Sequence, residues 1–473
     1  MAFRTPDEYL ESIRDGRVVY LDGDVVEDVT TDPRTRDDAQ SAADEFNRYH
    51  DPKVKDIFVM TDPETGEETD RFLMMPRSSE DLKARARAID FAQETGMGRL
   101  GFLSDGMLAM RWVAPELGKT NPAYAEAIET QFQRMKTENL LACIAMSDTK
   151  GDRSKHPGEQ HDPDLYVRKV DETPDGIVIR GMKAHISAAH LVNEMVVMPT
   201  KRMRDDEPEY SVCCLVSPNM EGVKLIARYD KPKNQYDYPL SYRGGAGESF
   251  IWLDDVFVPR DRIFQNGENQ LSGPIAYALG LWQRYSAMCY KRHSIRMLAG
   301  AASLMAKYNG IDKATHIQDK LFEIAMLADS LEAFIDAAAE TAQIRDGVAV
   351  PNESITNIGK YMFASKYHEL IKHVQDISGG ILVTAPWQRD FENEDLHGAF
   401  TKYLSGGDKS TSEQRLRLLN FIRDLTADEY GGKQMVTSLH AEGSLVAQKM
   451  MTLRGYDFVT AEDEVKTIAG ITD

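Results

Sequence analysis

The chain is poor in cysteine and in long apolar runs. Four cysteines are spread over 473 residues, none in a Cys-x-x-Cys arrangement, which argues against a disulfide framework and for a reducing compartment. No stretch approaches the roughly 18 consecutive apolar residues of a membrane-spanning helix. The best runs, Leu140 to Met146 and Ile275 to Trp282, are core-sized. The opening Met1-Ala-Phe-Arg-Thr-Pro-Asp7 has no basic region followed by an apolar one, so a cytoplasmic protein is expected. Positive charge is also short: 56 Lys and Arg stand against 76 Asp and Glu, a net charge of −20. A binder of nucleic-acid backbones or anionic membranes needs the opposite balance, so neither partner is expected.

Several catalytic signatures are missing. There is no G-x-x-x-x-G-K-[ST] and no G-x-S-x-G, so phosphate-loop and α/β-hydrolase chemistry have no support. Gly96-Met-Gly98-Arg-Leu-Gly101 matches G-x-G-x-x-G, but a helical pattern precedes it where a dinucleotide site needs a strand. We read it as a loop between helices. The histidine pairs 156/161, 185/190 and 368/373 are each five residues apart, not the four that place two ligands on one helix face, so no metal is expected. Cys143 reads as core, and Cys213-Cys214, in a strand, as one buried and one outward thiol.

What is present points to an α+β chain in three parts. Residues 1–142 read as mainly helical, with a capped start at Thr5-Pro6-Asp7-Glu8 and amphipathic helices over Asp81–Thr95 and Asn121–Glu138. Residues 143–272 hold short β-branched runs separated by turn residues, including hairpin chemistry at Asp171-Glu-Thr-Pro-Asp-Gly176. They predict a middle antiparallel barrel or sandwich. Residues 273–473 return to the helical period over 279–308, 313–344, 354–378 and 412–430, long enough for a bundle.

Three segments could carry chemistry. Ser147-Asp148-Thr149-Lys150-Gly151-Asp152-Arg153-Ser154 joins the first two parts and could aim backbone N–H groups, cations and hydroxyls into one concavity, or be a charged linker. Lys183, His185 and Ser187 end a β run, where solvated side chains are equally ordinary. Trp282 to His293 carries aromatic and cationic groups on several helical faces, as at an interface or a site.

In order and spacing, these segments resemble the family that holds the 4-hydroxyphenylacetate 3-monooxygenase oxygenase component and 4-hydroxybutyryl-CoA dehydratase. The resemblance runs over almost the whole chain, through Thr5-Pro-Asp-Glu-Tyr9, Asp148-Thr-Lys-Gly-Asp-Arg-Ser154, Asp162-Pro-Asp-Leu-Tyr166, Gly176 to His185, Val256-Phe-Val-Pro259, Ala306-Lys-Tyr-Asn-Gly310 and Ser378-Gly-Gly380. It implies an acyl-CoA-dehydrogenase-like fold: an N-terminal helical domain, a middle antiparallel β domain, a C-terminal helical bundle, and a homotetramer. It further implies FAD bound without a Rossmann fingerprint, with contacts from Met146, Ser147, Asp148, Lys150, Arg153, Ser187, Tyr308, Asn309 and Gly310. The activity implied first is that of an oxygenase component. A separate flavin reductase supplies FADH2, O2 gives a flavin C4a-hydroperoxide, and a small organic substrate is oxygenated.

Departures from the family pattern narrow this. Of the dehydratase's three cysteines and one histidine that hold an iron–sulfur cluster, only Cys289 is matched; the others fall on Trp282, Gly98 and Phe102, and such a cluster requires thiolates. The phenol-activating arginine and tyrosine fall within Phe102-Leu103-Ser104-Asp105-Gly106, and the histidine on Ile144. A substrate needing no phenol deprotonation, such as an amine, a thiol or an electron-rich heterocycle, therefore fits better. Arg99, Trp282, Arg284, Tyr285 and His293 are the pocket-lining and catalytic candidates. The alternatives are a redox-neutral flavin-dependent acyl-CoA isomerase or dehydratase without the cluster, with His185 or His293 as first choice of base, and a scaffold that kept only the fold.

Overall fold

The structure is a computed structural model describing residues 3–228, 234–243 and 247–471. The chain opens with α1 (Pro6–Ser12), whose start is a full capping box: Thr5 and Glu8 satisfy each other's backbone N–H groups. Strands β1 (Val18–Leu21) and β2 (Asp24–Val26) follow, then α2 (Arg36–Asp44), α3 (Lys55–Phe58) and a hairpin of β3 (Val59–Thr61) and β4 (Glu68–Asp70). Three long helices complete the first part: α4 (Ser79–Thr95), α5 (Asp105–Thr120) and α6 (Pro122–Glu138). Gly96 ends α4 in the left-handed region at φ +83°, so the glycine-rich string is a helix stop.

The middle part comprises β5 (Ala142–Ala145), β6 (Arg168–Thr173), β7 (Gly176–Ser187), β8 (Glu194–Val197), β9 (Val212–Val216), β10 (Val223–Arg228), β11 (Glu248–Pro259) and β12 (Ile263–Asn266). They form two sheets, ordered β2-β1-β10-β11-β7-β6 and β12-β9-β8-β5. The expected hairpin is the β6–β7 pair. Two pairings are parallel, β1 with β10 and β5 with β8, and through the first of them β1 and β2 of the first part join the larger sheet. Strand β11 alternates buried and exposed positions, so one face of the larger sheet is covered. Strands β8 and β9 are buried at every position, because α5 and α6 cover the far side of the smaller sheet. This corrects the reading of Cys213-Cys214. Both thiols are buried, Cys213 against Met110 of α5 at 3.5 Å, and burial pushes Cys214 up to about 12.

The C-terminal part is built on α7 (Asn269–Tyr308), α8 (Thr315–Glu340) and α9 (Glu353–Ser378). A hairpin of β13 (Gln343–Arg345) and β14 (Val348–Val350) lies between α8 and α9. The expected 313–344 helix therefore stops early, at Glu340, and the chain enters this hairpin, which turns at Asp346-Gly347, where both residues take positive φ. Short α10 (Ile381–Thr384), α11 (Gln388–Glu392) and α12 (Glu394–Tyr403) lead to α13 (Ser412–Thr426), α14 (Glu429–His440), α15 (Leu445–Gly455) and α16 (Phe458–Ala469). The expected 412–430 helix is thus two helices, broken at Ala427-Asp428. Among the described residues, no helix is long and apolar enough to cross a membrane.

Candidate functional site

The segment after β5 is fixed by one buried ion pair. Lys183 Nζ lies 2.8 Å from Asp148 Oδ1, both side chains about 2% exposed, and donates to the carbonyls of Met146 (3.0 Å) and Met198 (2.9 Å). Asp148 also accepts from Val167 N–H and pairs with Thr200 Oγ1. Its carboxylate therefore faces inward and shapes the loop, while Ser147 and Lys150 are half-buried and Arg153 is exposed. Lys150 sits at φ +71° and is lowered by burial, then by Arg153. Along β7 the side chains diverge: Lys183 is buried, His185 exposed, and Ser187 Oγ donates to Glu248 at 2.9 Å. Glu248 also meets Lys433 of α14 at 3.0 Å, which ties the β domain to the C-terminal helices.

Tyr308, Asn309 and Gly310 line a different place, an open cavity of about 640 Å³ at the end of α7 whose lining includes no residue of 146–153. Lys409 and Arg415 reach it, and Gly310 and Gly379 turn there at φ +67° and +74° with open space beside them. Arg415 Nη2 donates to Asn309 Oδ1 at 2.8 Å, while its Nε and Ser410 Oγ are buried without partners. Asp376 and Asp408 also line the cavity, paired with Lys320 and Lys409, which leaves the Arg415 guanidinium and the glycine backbone as the groups that could meet an anion such as a pyrophosphate.

The reactive side chains meet elsewhere, where the start of α5 faces α7. Phe102 stacks on Tyr290, ring centroids 5.2 Å apart. The Tyr290 hydroxyl donates to Glu442, whose carboxylate lies 3.5 Å from both Lys291 Nζ and Lys360 Nζ. All four side chains are buried or nearly so. Glu442 belongs to the turn between α14 and α15, takes φ +59°, and is held there by Arg284 Nε donating to its carbonyl at 2.9 Å. Burial favours the neutral carboxyl of Glu442, but Lys291, Lys360 and the Tyr290 hydrogen bond outweigh it and hold the group below its usual range. Burial lowers Lys291 and takes Lys360 down to about 8; burial and Glu442 push Tyr290 up. The result is a neutral phenol bonded to an ionised carboxylate between two cations. Sequence reading missed this cluster, because Glu442 lies 152 residues from Tyr290. The only local signal was Tyr290-Lys291 on a helix.

The other candidates lie apart from it. Arg99 donates to Ser41 Oγ at 3.3 Å and lies 3.9 Å from Glu45. Trp282 is fully buried edge-on to Trp112. Tyr285 donates to Leu82 O at 3.2 Å, and half-buried His293, lowered by burial and by Arg296, sits by Asp90. Arg284, by contrast, braces the Glu442 turn. Cys289 donates to Tyr285 O at 3.2 Å and burial pushes it up to about 12, the protonated state rather than a thiolate ligand. With Phe102 and Trp282 packed on neighbouring rings, this donor set does not fit an iron–sulfur cluster.

The model of the 4-hydroxyphenylacetate 3-hydroxylase N terminal matches residues 5–265, and that of the C terminal residues 274–470. The chain is 27% identical to 4-hydroxybutyryl-CoA dehydratase/vinylacetyl-CoA-Delta-isomerase of Clostridium aminobutyricum, over 99% of both chains. To the 4-hydroxyphenylacetate 3-monooxygenase oxygenase component of Thermus thermophilus it is 26% identical, over 91% of this chain and 90% of that one. The crystal structure of an oxygenase component of 4-hydroxyphenylacetate 3-monooxygenase complexed with FAD superimposes with a TM-score of 0.90 at 23% identity, covering 98% of each chain, a likeness of fold. The two matched halves together span nearly the whole sequence, and the chain belongs to the 4-hydroxyphenylacetate 3-hydroxylase family.

Proposed function

We propose that this protein is the oxygenase component of a two-component, FADH2-dependent monooxygenase acting on a small organic molecule. The observation that carries the reading is the Tyr290–Glu442 pair between Lys291 and Lys360, set against Phe102 where the donor set does not fit a metal cluster. FAD, present in the solved oxygenase relative, would arrive reduced from a separate reductase and would supply the two electrons for activating O2. Met146 to Arg153 and Ser187 would hold one end of it. Tyr308-Asn309-Gly310 with Arg415 would hold an anionic end, contributed by a second copy in a homotetramer, since one chain presents the two groups in different places.

The chain's own groups favour a substrate that is already nucleophilic. Phe102, Gly106 and Ile144 offer nothing to deprotonate a phenol, whereas the Tyr290 oxygen, whose own proton is given to Glu442, can accept a hydrogen bond from a substrate N–H or S–H and relay that proton to the carboxylate. Lys291 and Lys360 keep that carboxylate ionised, and the rings around it exclude water. Chemically supplied FADH2 and ¹⁸O₂ with a panel of amines, thiols and heterocycles tests this; one label atom in the product supports it.

A second reading draws on the same carboxylate. An ionised, buried Glu442 is also the base that removal of a proton α to a thioester requires, a better one than exposed His185. Anaerobic isomerisation of a vinylacetyl-CoA thioester, with no label uptake under ¹⁸O₂, would favour it.

A further inference from the structure

On the outer groove between α8 and α9, further along α9 than Lys360, three potential ligands converge. Glu369 and His373 are one turn apart on α9, the i, i+4 spacing that puts two side chains on one helix face. Glu323 comes across from α8, its Oε2 2.9 Å from His373 Nε2. One ligand atom from each of the three lies within 4.8 Å of the others. A tetrahedral zinc shell needs ligand atoms about 3–3.5 Å apart, so small rotamer changes on two partly exposed carboxylates close the difference. We propose that Glu323, Glu369 and His373 bind a divalent transition cation and so staple α8 to α9.

The chemistry suits such an ion. One imidazole with two carboxylates is a borderline-to-hard donor set, open to water at the remaining position, and favours Zn²⁺ over Mg²⁺ or a soft copper(I) ion. The helices that carry the ligands pack along their length and bury Ile324, Leu327, Leu370 and Val374 behind them, so the three side chains stand on a rigid base. Lys366 is the competitor: its Nζ donates to Glu369 at 3.0 Å. It is about half exposed, and moves into water without losing a buried contact. One turn on, Asp376 is held by Lys320 and adds negative potential beside His373. The chain's five-residue histidine spacing hides this site, because the partner of His373 is not His368 but two glutamates.

The test uses the full chain, freed of metal by a chelator and titrated with Zn²⁺ alone by calorimetry. The expected result is one equivalent bound per chain, with at least tenfold weaker binding in His373→Ala and in Glu369→Gln, and a thermal midpoint that rises with Zn²⁺ in the unaltered protein only. Should His373→Ala fail to fold, Glu369→Gln decides, since that side chain is 48% exposed. Absence of saturable uptake near one equivalent overturns the proposal. Unchanged binding in both variants also overturns it, by placing the zinc elsewhere.

Discussion

Ile144 Cγ1 lies 2.8 Å from the point a Cβ on Gly106 would occupy. These are the two positions where the family resemblance would place a histidine and a tyrosine. Their replacements are one packing unit: α5 approaches β5 so closely that only glycine fits opposite isoleucine. On that resemblance the phenol-activating groups would be missing here, and the isoleucine side chain packs against the glycine. Gly106→Ala should destabilise the protein by about 1–3 kcal/mol through overpacking, read from denaturant unfolding. Adding Ile144→Ala should recover most of that loss; no recovery would mean the clash lies elsewhere.

Glu442→Gln keeps the shape of the carboxylate but leaves Lys291 and Lys360 buried without their shared counter-charge. Removing one partner of a buried ionic group costs about 3–5 kcal/mol, and the smaller volume change here argues for the lower end. Turnover should fall at least tenfold while the affinity for reduced FAD changes less than twofold. Equal loss of both would assign Glu442 a purely structural role.

Lys360 gives the fold a pH dependence with a definite sign. Burial lowers it from an ordinary 10.5 to about 8, with Glu442 opposing and Lys291 reinforcing. Between those values the unfolded chain still holds the proton that the folded chain has released. Stability from this group therefore rises with pH from about 8 to 10.5 and is lost again as pH falls through 8, by up to about 3 kcal/mol. Lys291, also lowered, adds to the same slope. In Lys360→Met the rise should be smaller, measured as unfolding midpoints across that window.

Lys183→Met should release the loop that Asp148 anchors. An unpaired buried carboxylate costs about 3–5 kcal/mol, so the unfolding midpoint drops, and flavin affinity falls with it because Met146 to Arg153 loses its fixed path. The double variant with Asp148→Leu should regain stability but not flavin affinity. Recovery of both would remove that segment from the cofactor site.

Much of the fold was legible in the sequence because its signals are local. Capping chemistry at Thr5, the 3.6-residue stripe of α4 and the turn residues of the β6–β7 hairpin each specify their element within about ten residues. What escaped is long-range. Val18 to Leu21 is four residues with no partner nearby, and it becomes a strand only by pairing in parallel with β10, some 200 positions on. The site divides in the same way. The loop after β5 stood out by composition, but the burial of Asp148 depends on Lys183 from another strand, and the Tyr290–Glu442 pair depends on a turn between two late helices. Cys213 and Cys214 misled because strand alternation says nothing about a sheet covered on both faces.

The central claim is tested most directly by mixing the anaerobic complex of the protein and FADH2 with oxygen and following the appearance of oxidised flavin. The account predicts a lag well beyond that of free FADH2, shortened in Glu442→Gln and ending in an oxygenated product when a reactive amine or thiol is present. Oxidised flavin forming at once, in a protein that isomerises an acyl-CoA thioester without oxygen, would contradict it.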